Sequence, residues 1–113
     1  MTSNFTLIRL CRNIPDFKGV FMRDELRGRR PAYRKKAIIN LDSRRGRGTH
    51  WTCYRKRGDK VSYFDPFGSL PPPQELMEYW GRGVQVTYNR RRYQSYDLKK
   101  CGYLCVRFLK NQL

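Results

Sequence analysis

Apolar residues recur along this chain in two rhythms. Between Phe5 and Ile14 they fall at positions 5, 7, 8, 10, 11 and 14, close to helical spacing, and Pro15 closes the run. A short N-terminal helix is predicted there. The segment IPDFKGVFMRDEL sets Gly19 between two apolar pairs and reads as a turn into a buried segment, whereas residues 27–36 (RGRRPAYRKK), poor in apolar side chains, read as a basic loop. From Lys36 the rhythm becomes that of strands. AIINLD, HWTCYRK and KVSYFD, each bounded by Gly, Asp or basic turn residues, should pair antiparallel as a meander. Pro66, Gly68 and Pro71-Pro72-Pro73 stop the third strand, QELMEYW has the spacing of a short helix beginning near Pro73, and VQVTY alternates as a fourth strand. The last segment, CGYLCVRFLKNQL, carries apolar residues at 101, 104, 105, 108 and 109, the stripe of one buried helix face. No repeat or linker interrupts this order, so the 113 residues are expected to form one α+β domain spanning 1–113.

Charge changes the picture. The chain has 25 Lys and Arg against 9 Asp and Glu, a formal net charge of +16. A field of that sign concentrates polyanions and destabilises the compact state until a counter-ion arrives, which points first to nucleic acid and second to an acidic membrane surface. The basic runs supply the candidate contacts: Arg29, Arg30, Arg34, Lys35 and Lys36; Arg44, Arg45 and Arg47; Arg90, Arg91 and Arg92. None of the predicted helices offers a set of base-reading side chains, so such binding is expected to be non-specific. No apolar run approaches the roughly 20 residues of a membrane span, and the N-terminus lacks the apolar core of a secretion signal. The protein is therefore expected to be intracellular or packaged in a particle, not secreted. Cys11, Cys53, Cys101 and Cys105 are read as thiols rather than disulfides, and one histidine without paired C-x2-C spacing gives no metal site. No cofactor is implied.

Against this background the only histidine, His50 in GTHWTCY, stands at the start of a predicted strand, and Asp65 stands at the end of the next. A tight hairpin between them brings both strand ends to one edge of the sheet, where a carboxylate can fix the imidazole tautomer and stabilise its charged form. Cys101 opens the last predicted helix, so its sulfur would sit at the positive end of the helix dipole, near Lys99 and Lys100. Gly102 would let a substrate approach the backbone N–H groups there, and Gln94 could add a side-chain donor to an oxyanion. Cys105, one turn inside the same helix face, is expected to be core.

The strings GTHWTCY, YFDPFG and QSYDLKKCGYLC resemble the active-site segments of the adenovirus protease (adenain) family, cysteine endopeptidases related in fold to the proteases that process ubiquitin-like modifiers. That pattern has His-Trp on a strand, an acidic residue before Pro-Phe-Gly on the next, and Gln-Ser ahead of Cys-Gly. IPDFKGVFMRDEL followed by INLD is similar to the upstream region of adenain-like proteases of DNA viruses and virus-like mobile elements, so the match runs from about Ile14 to Leu109. The resemblance implies a papain-like α+β fold with an antiparallel central sheet and the nucleophile at the N-terminus of a packed helix. It implies His50 as base, Asp65 as its orienter, Cys101 as nucleophile and Gln94 as oxyanion donor, with Trp51 walling the substrate site beside Gly102. The implied substrate is a structural precursor polypeptide, cleaved in the host nucleus or the virion, with stimulation by DNA or a short peptide. Two departures stand out. Asp65 replaces the adenain glutamate, as in the modifier-processing branch, and the subdomain that adenain carries beyond its cysteine helix is not expected in a chain ending at Leu113. The alternatives are a basic DNA-binding or packaging protein that retains the fold, and an isopeptidase acting on ubiquitin-like modifiers.

Overall fold

A computed structural model describes residues 3–42, 50–68, 70–93 and 101–113. Within them the elements follow in the order α1 (Asn4–Cys11), β1 (Phe17–Met22), β2 (Arg34–Asn40), β3 (Trp51–Arg57), β4 (Lys60–Phe64), α2 (Gln74–Trp80), β5 (Gln85–Tyr88) and α3 (Cys101–Leu109). The strands form one sheet in sequence order, β1-β2-β3-β4-β5.

The three central strands pair antiparallel, with Ile38 opposite Cys53 and Cys53 opposite Phe64, as the sequence predicts. The edges do not. β1 runs parallel to β2, and β5 parallel to β4, so the sheet is mixed rather than antiparallel. The reason lies in the connections. A tight turn reverses a strand, but the long excursion through α2 returns the chain to the same end of the sheet before β5 begins, and residues 23–33 do the same before β2. The segment around Gly19, expected as a turn, is a strand: Gly19 lies at a register shift in β1 with φ +138°, a conformation that suits glycine.

Helices cover both faces of the sheet. On one face Ile38, Cys53 and Phe64 meet Leu7 and Cys11 of α1 and Cys101, Cys105 and Leu109 of α3. On the other, Ala37, Ile39, Tyr54, Val61 and Tyr63 pack beneath Leu76, Tyr79 and Trp80 of α2. This explains why Ala37, Ile38 and Ile39 are all inaccessible to solvent, since a strand buried on both sides reads as a continuous apolar run. α1 is capped by Ser3, whose Oγ accepts from the Thr6 N–H at 3.2 Å. It stops at Cys11, earlier than its apolar periodicity suggests, because residues 12–16 turn ahead of and through Pro15.

One basic residue is relocated by the fold. β2 starts at Arg34, so the predicted loop of residues 27–36 ends in a strand, and Lys35 points inward at 7% exposure. Its Nζ donates to the Tyr79 hydroxyl at 3.0 Å and lies over the Phe21 and Tyr79 rings, a structural cation rather than a surface contact for nucleic acid. Among the other candidate contacts, Arg29, Arg30, Arg34, Arg90, Arg91 and Arg92 are exposed and Lys36 is half-buried, while Arg44, Arg45 and Arg47 lie outside the described residues.

The double-sided core makes a direct prediction. Ile38→Ala should lower unfolding free energy by about 2–5 kcal/mol in urea titrations, as buried branched residues do. Ile8→Ala, at a position 41% exposed on the outer face of α1, should change it little.

Candidate active site

Continuing the β3–β4 ladder beyond its last pair brings His50, immediately before β3, alongside the turn that follows β4. His50 Nε2 lies 2.8 Å from Asp65 Oδ1 across 15 residues of sequence, with the carboxylate 1% and the histidine 9% exposed. The imidazole also stacks on the Phe67 ring, centroids 4.2 Å apart and planes within 2° of parallel. One contact sets the ring's direction and the other its plane.

Asp65 is itself held. Its Oδ1 accepts a second bond from the Phe67 N–H at 2.9 Å, and its backbone carbonyl accepts from the Gly68 N–H at 2.8 Å, closing the tight Asp65-Pro66-Phe67-Gly68 turn. The Asn89 carboxamide pairs with the Asp65 backbone in both directions: Nδ2 donates to the carbonyl at 2.7 Å and Oδ1 accepts from the amide at 2.9 Å. Asn89 thus pins the carboxylate-bearing residue to the end of β5. The chain after it continues along the same turn, with the Tyr93 N–H donating to the Pro66 carbonyl at 2.8 Å and Arg92 Nε to the Phe67 carbonyl at 3.3 Å.

Cys101 is the first residue of α3 and is fully buried. The Trp51 backbone N–H donates to its Sγ at 3.4 Å, so the residue next to His50 also contacts the sulfur. Among the described residues the buried His50 Nδ1 closes no hydrogen bond of ordinary geometry, and Cys101 is near enough to act on the ring. Burial by itself would depress the His50 pKa. The Asp65 hydrogen bond, reinforced by Cys101, outweighs burial and pushes it up to about 9.

The sequence-predicted residues are therefore partly reunited. His50, Asp65 and Cys101 converge, and Gly102 lies buried in the first turn of α3. Gln94 lies outside the described residues. The Trp51 expectation is corrected: at 2% exposure its indole belongs to the core beneath α3 instead of walling an open cleft, and its backbone amide is the part that faces the sulfur. Asn89 and Phe67 were not predicted as contributors. Phe67 was visible as part of YFDPFG, whereas nothing local marks Asn89, whose role arises from a partner 24 residues away.

No protein-family model and no curated protein matches the chain. Among solved structures it is similar to the crystal structure of the ASFV pS273R protease, with a TM-score of 0.55 at 19% sequence identity. The chain carries a protease-like fold. The similarity covers 96% of this chain and 57% of that one, so the chain spans less than two thirds of that protein's length. Among the described residues no helix is long and apolar enough to cross a membrane, and no cluster of His, Cys, Asp and Glu could hold a metal ion.

Two outcomes test this geometry. A His50 pKa raised in the folded state contributes stability that is complete below its unfolded value of 6.5 and is lost as pH climbs through about 9. The thermal midpoint should therefore fall more between those values in the wild type than in His50→Gln. Gly68→Ala should destabilise by about 1–3 kcal/mol, because φ is +79° there and the added Cβ would lie 2.7 Å from the Arg91 carbonyl oxygen. Differential scanning fluorimetry across pH reads both.

Proposed function

We propose that the chain is a cysteine endopeptidase domain, with His50 as base, Asp65 as the residue that orients it and Cys101 as nucleophile. The observation that carries the reading is the buried 2.8 Å His50–Asp65 pair beside a thiol at a helix N-terminus. In the proposed reaction His50 takes the Cys101 proton, and the thiolate is stabilised by the imidazolium, the Trp51 N–H and the dipole of α3. The thiolate adds to the scissile carbonyl carbon. The oxyanion that forms is received by backbone N–H groups at the start of α3 and by the Gln94 carboxamide. Collapse expels the amine, which leaves with the proton from His50. Water, deprotonated by the same imidazole, then adds to the thioester and releases the carboxylic acid and the thiol. The raised His50 pKa supports this assignment, because it shows that Asp65 stabilises the imidazolium formed when the ring takes the Cys101 proton.

The substrate class follows from the same reading: a polypeptide, of the kind processed by adenain-like proteases, with the virion or host nucleus as the setting. Nucleic acid is proposed as a further partner of the exposed arginines Arg29, Arg30 and Arg90 to Arg92. Support comes from the net charge of +16 and the exposure of these side chains, and the bond from Arg92 Nε to the Phe67 carbonyl joins the second run to the Asp65 turn.

Cleavage of a proteome-derived peptide library, followed by mass spectrometry of new termini, tests the assignment. Wild type should generate new termini, and Cys101→Ala and His50→Gln should generate none while keeping the wild-type circular dichroism spectrum. Cys105→Ala should cost about 1–2 kcal/mol of stability and retain cleavage, since Cys105 is buried with its Sγ 3.5 Å from the Trp51 carbonyl. An active Cys101→Ala variant would overturn the reading. A probe ending in a ubiquitin-like tail, labelling Cys101 where a plain peptide does not, would redirect it to the isopeptidase class.

A further inference from the structure

The sheet face that carries Ile38, Cys53 and Phe64 is covered by α1 and α3 over only part of its length. Beyond the C-terminal end of α3, the same strands present Arg34 and Lys36 from β2, Arg55 and Arg57 from β3, and Lys60 and Ser62 from β4. The register places like charges directly across from one another: Arg34 opposite Arg57, Lys36 opposite Arg55, and Arg57 opposite Lys60. Directly opposed like charges destabilise a sheet. Three such pairs on one face form a site that an anion would relieve.

The grid is compact. Three strands at ordinary spacing put Arg34, Arg57 and Lys60 in a row about 10 Å long, with Lys36 and Arg55 in a second row about 7 Å along the strands. The concavity above them has a volume of about 320 Å³, within the range of small-ligand sites. Two of the cations are held in place by the end of α3. The Arg55 guanidinium lies over the Phe108 ring with its centre 4.4 Å from the centroid and donates to the Phe108 carbonyl and the Asn111 side chain, and Lys36 Nζ donates to the Leu109 carbonyl at 3.4 Å. Arg34, Arg57 and Lys60 are exposed.

Negative groups bound the grid. Asp16 lines it on the β1 side, Asp59 lies in the β3–β4 turn, and the C-terminal carbonyls of α3 face it from the helix end. A long phosphodiester backbone crossing the face would have to pass these groups, whereas a ligand with its charge gathered in one place would not. We propose that this shelf is a binding site for a small molecule bearing several clustered phosphates, its occupant held by Arg34, Arg57 and Lys60 against a wall formed by Arg55 and Lys36. The site is separate from the His50–Cys101 pair and does not depend on the peptidase assignment.

Calorimetric titration of the full chain with inositol hexakisphosphate, sodium tripolyphosphate and ATP, each at two salt concentrations, tests the site. Inositol hexakisphosphate and tripolyphosphate should bind with one-to-one stoichiometry, and tight binding by ATP alone would overturn the proposal, since the nucleoside and not the phosphate cluster would then be recognised. The double variant Arg57→Ala, Lys60→Ala should weaken binding of the compact probes by about tenfold or more. Arg90→Ala, Arg91→Ala, which removes the same charge elsewhere, should weaken it by less than about twofold. Without ligand, Arg57→Ala should raise the thermal midpoint, because it removes two opposed like-charge pairs. Equal losses in the two double variants would mean that net charge alone binds the probe and would overturn the site. Displacement of inositol hexakisphosphate by a single-stranded oligonucleotide at equal phosphate concentration would overturn it in favour of nucleic acid.

Discussion

The register between β3 and β4 governs the rest of the molecule. With Cys53 opposite Phe64, continuing the ladder carries His50 opposite Phe67, the two rings that stack, and leaves Asp65 within reach of the imidazole edge. A slip of one residue would turn every side chain of β3 to the other face. Cys53 would then leave the layer beneath α3, and His50 would lose both its carboxylate and its ring partner. The burial of Trp51, Thr52, Cys53 and Tyr54 on alternate sides prevents this, since each face demands its own set. The packing of an apolar core and the alignment of a polar pair are thus one constraint.

That constraint has an electrostatic side. A carboxylate at 1% exposure is costly unless it is paired and hydrogen-bonded. Asp65 Oδ1 receives both the imidazole and the Phe67 amide, and the backbone at this residue is tied to Asn89. The turn, the end of β5 and the histidine consequently form a single unit, and the basic residues after Asn89 are joined to it through backbone carbonyls.

Much of this was legible in the sequence because the signals are local. Short strand-like runs bounded by Gly, Asp or basic turn residues marked the three central strands, alternation marked β5, and helical spacing marked the segments that became α1, α2 and α3. The order His50, Asp65, Cys101 at strand start, strand end and helix start was enough to anticipate their meeting. What escaped depends on distant partners. The parallel edges follow from where α2 and residues 23–33 return the chain, which no periodicity encodes. Lys35 looks like its basic neighbours until strand alternation turns it inward between Phe21 and Tyr79. Trp51 carries its contact to the sulfur on its backbone, where side-chain chemistry gives no clue.

The seam between β3 and α3 is lined by sulfur. Cys53 Sγ lies 3.7 Å from the Cys105 carbonyl and Cys105 Sγ lies 3.5 Å from the Trp51 carbonyl, so two small side chains set how closely the helix axis approaches the sheet. They act as a gauge block. Alanine or serine at either place would preserve the spacing, whereas valine or leucine would wedge the helix outward and swing its first residue away from the imidazole. Drift at these two interior positions is therefore bounded by size more than by polarity, and the bound is imposed by a distance measured one turn away, at the start of the helix.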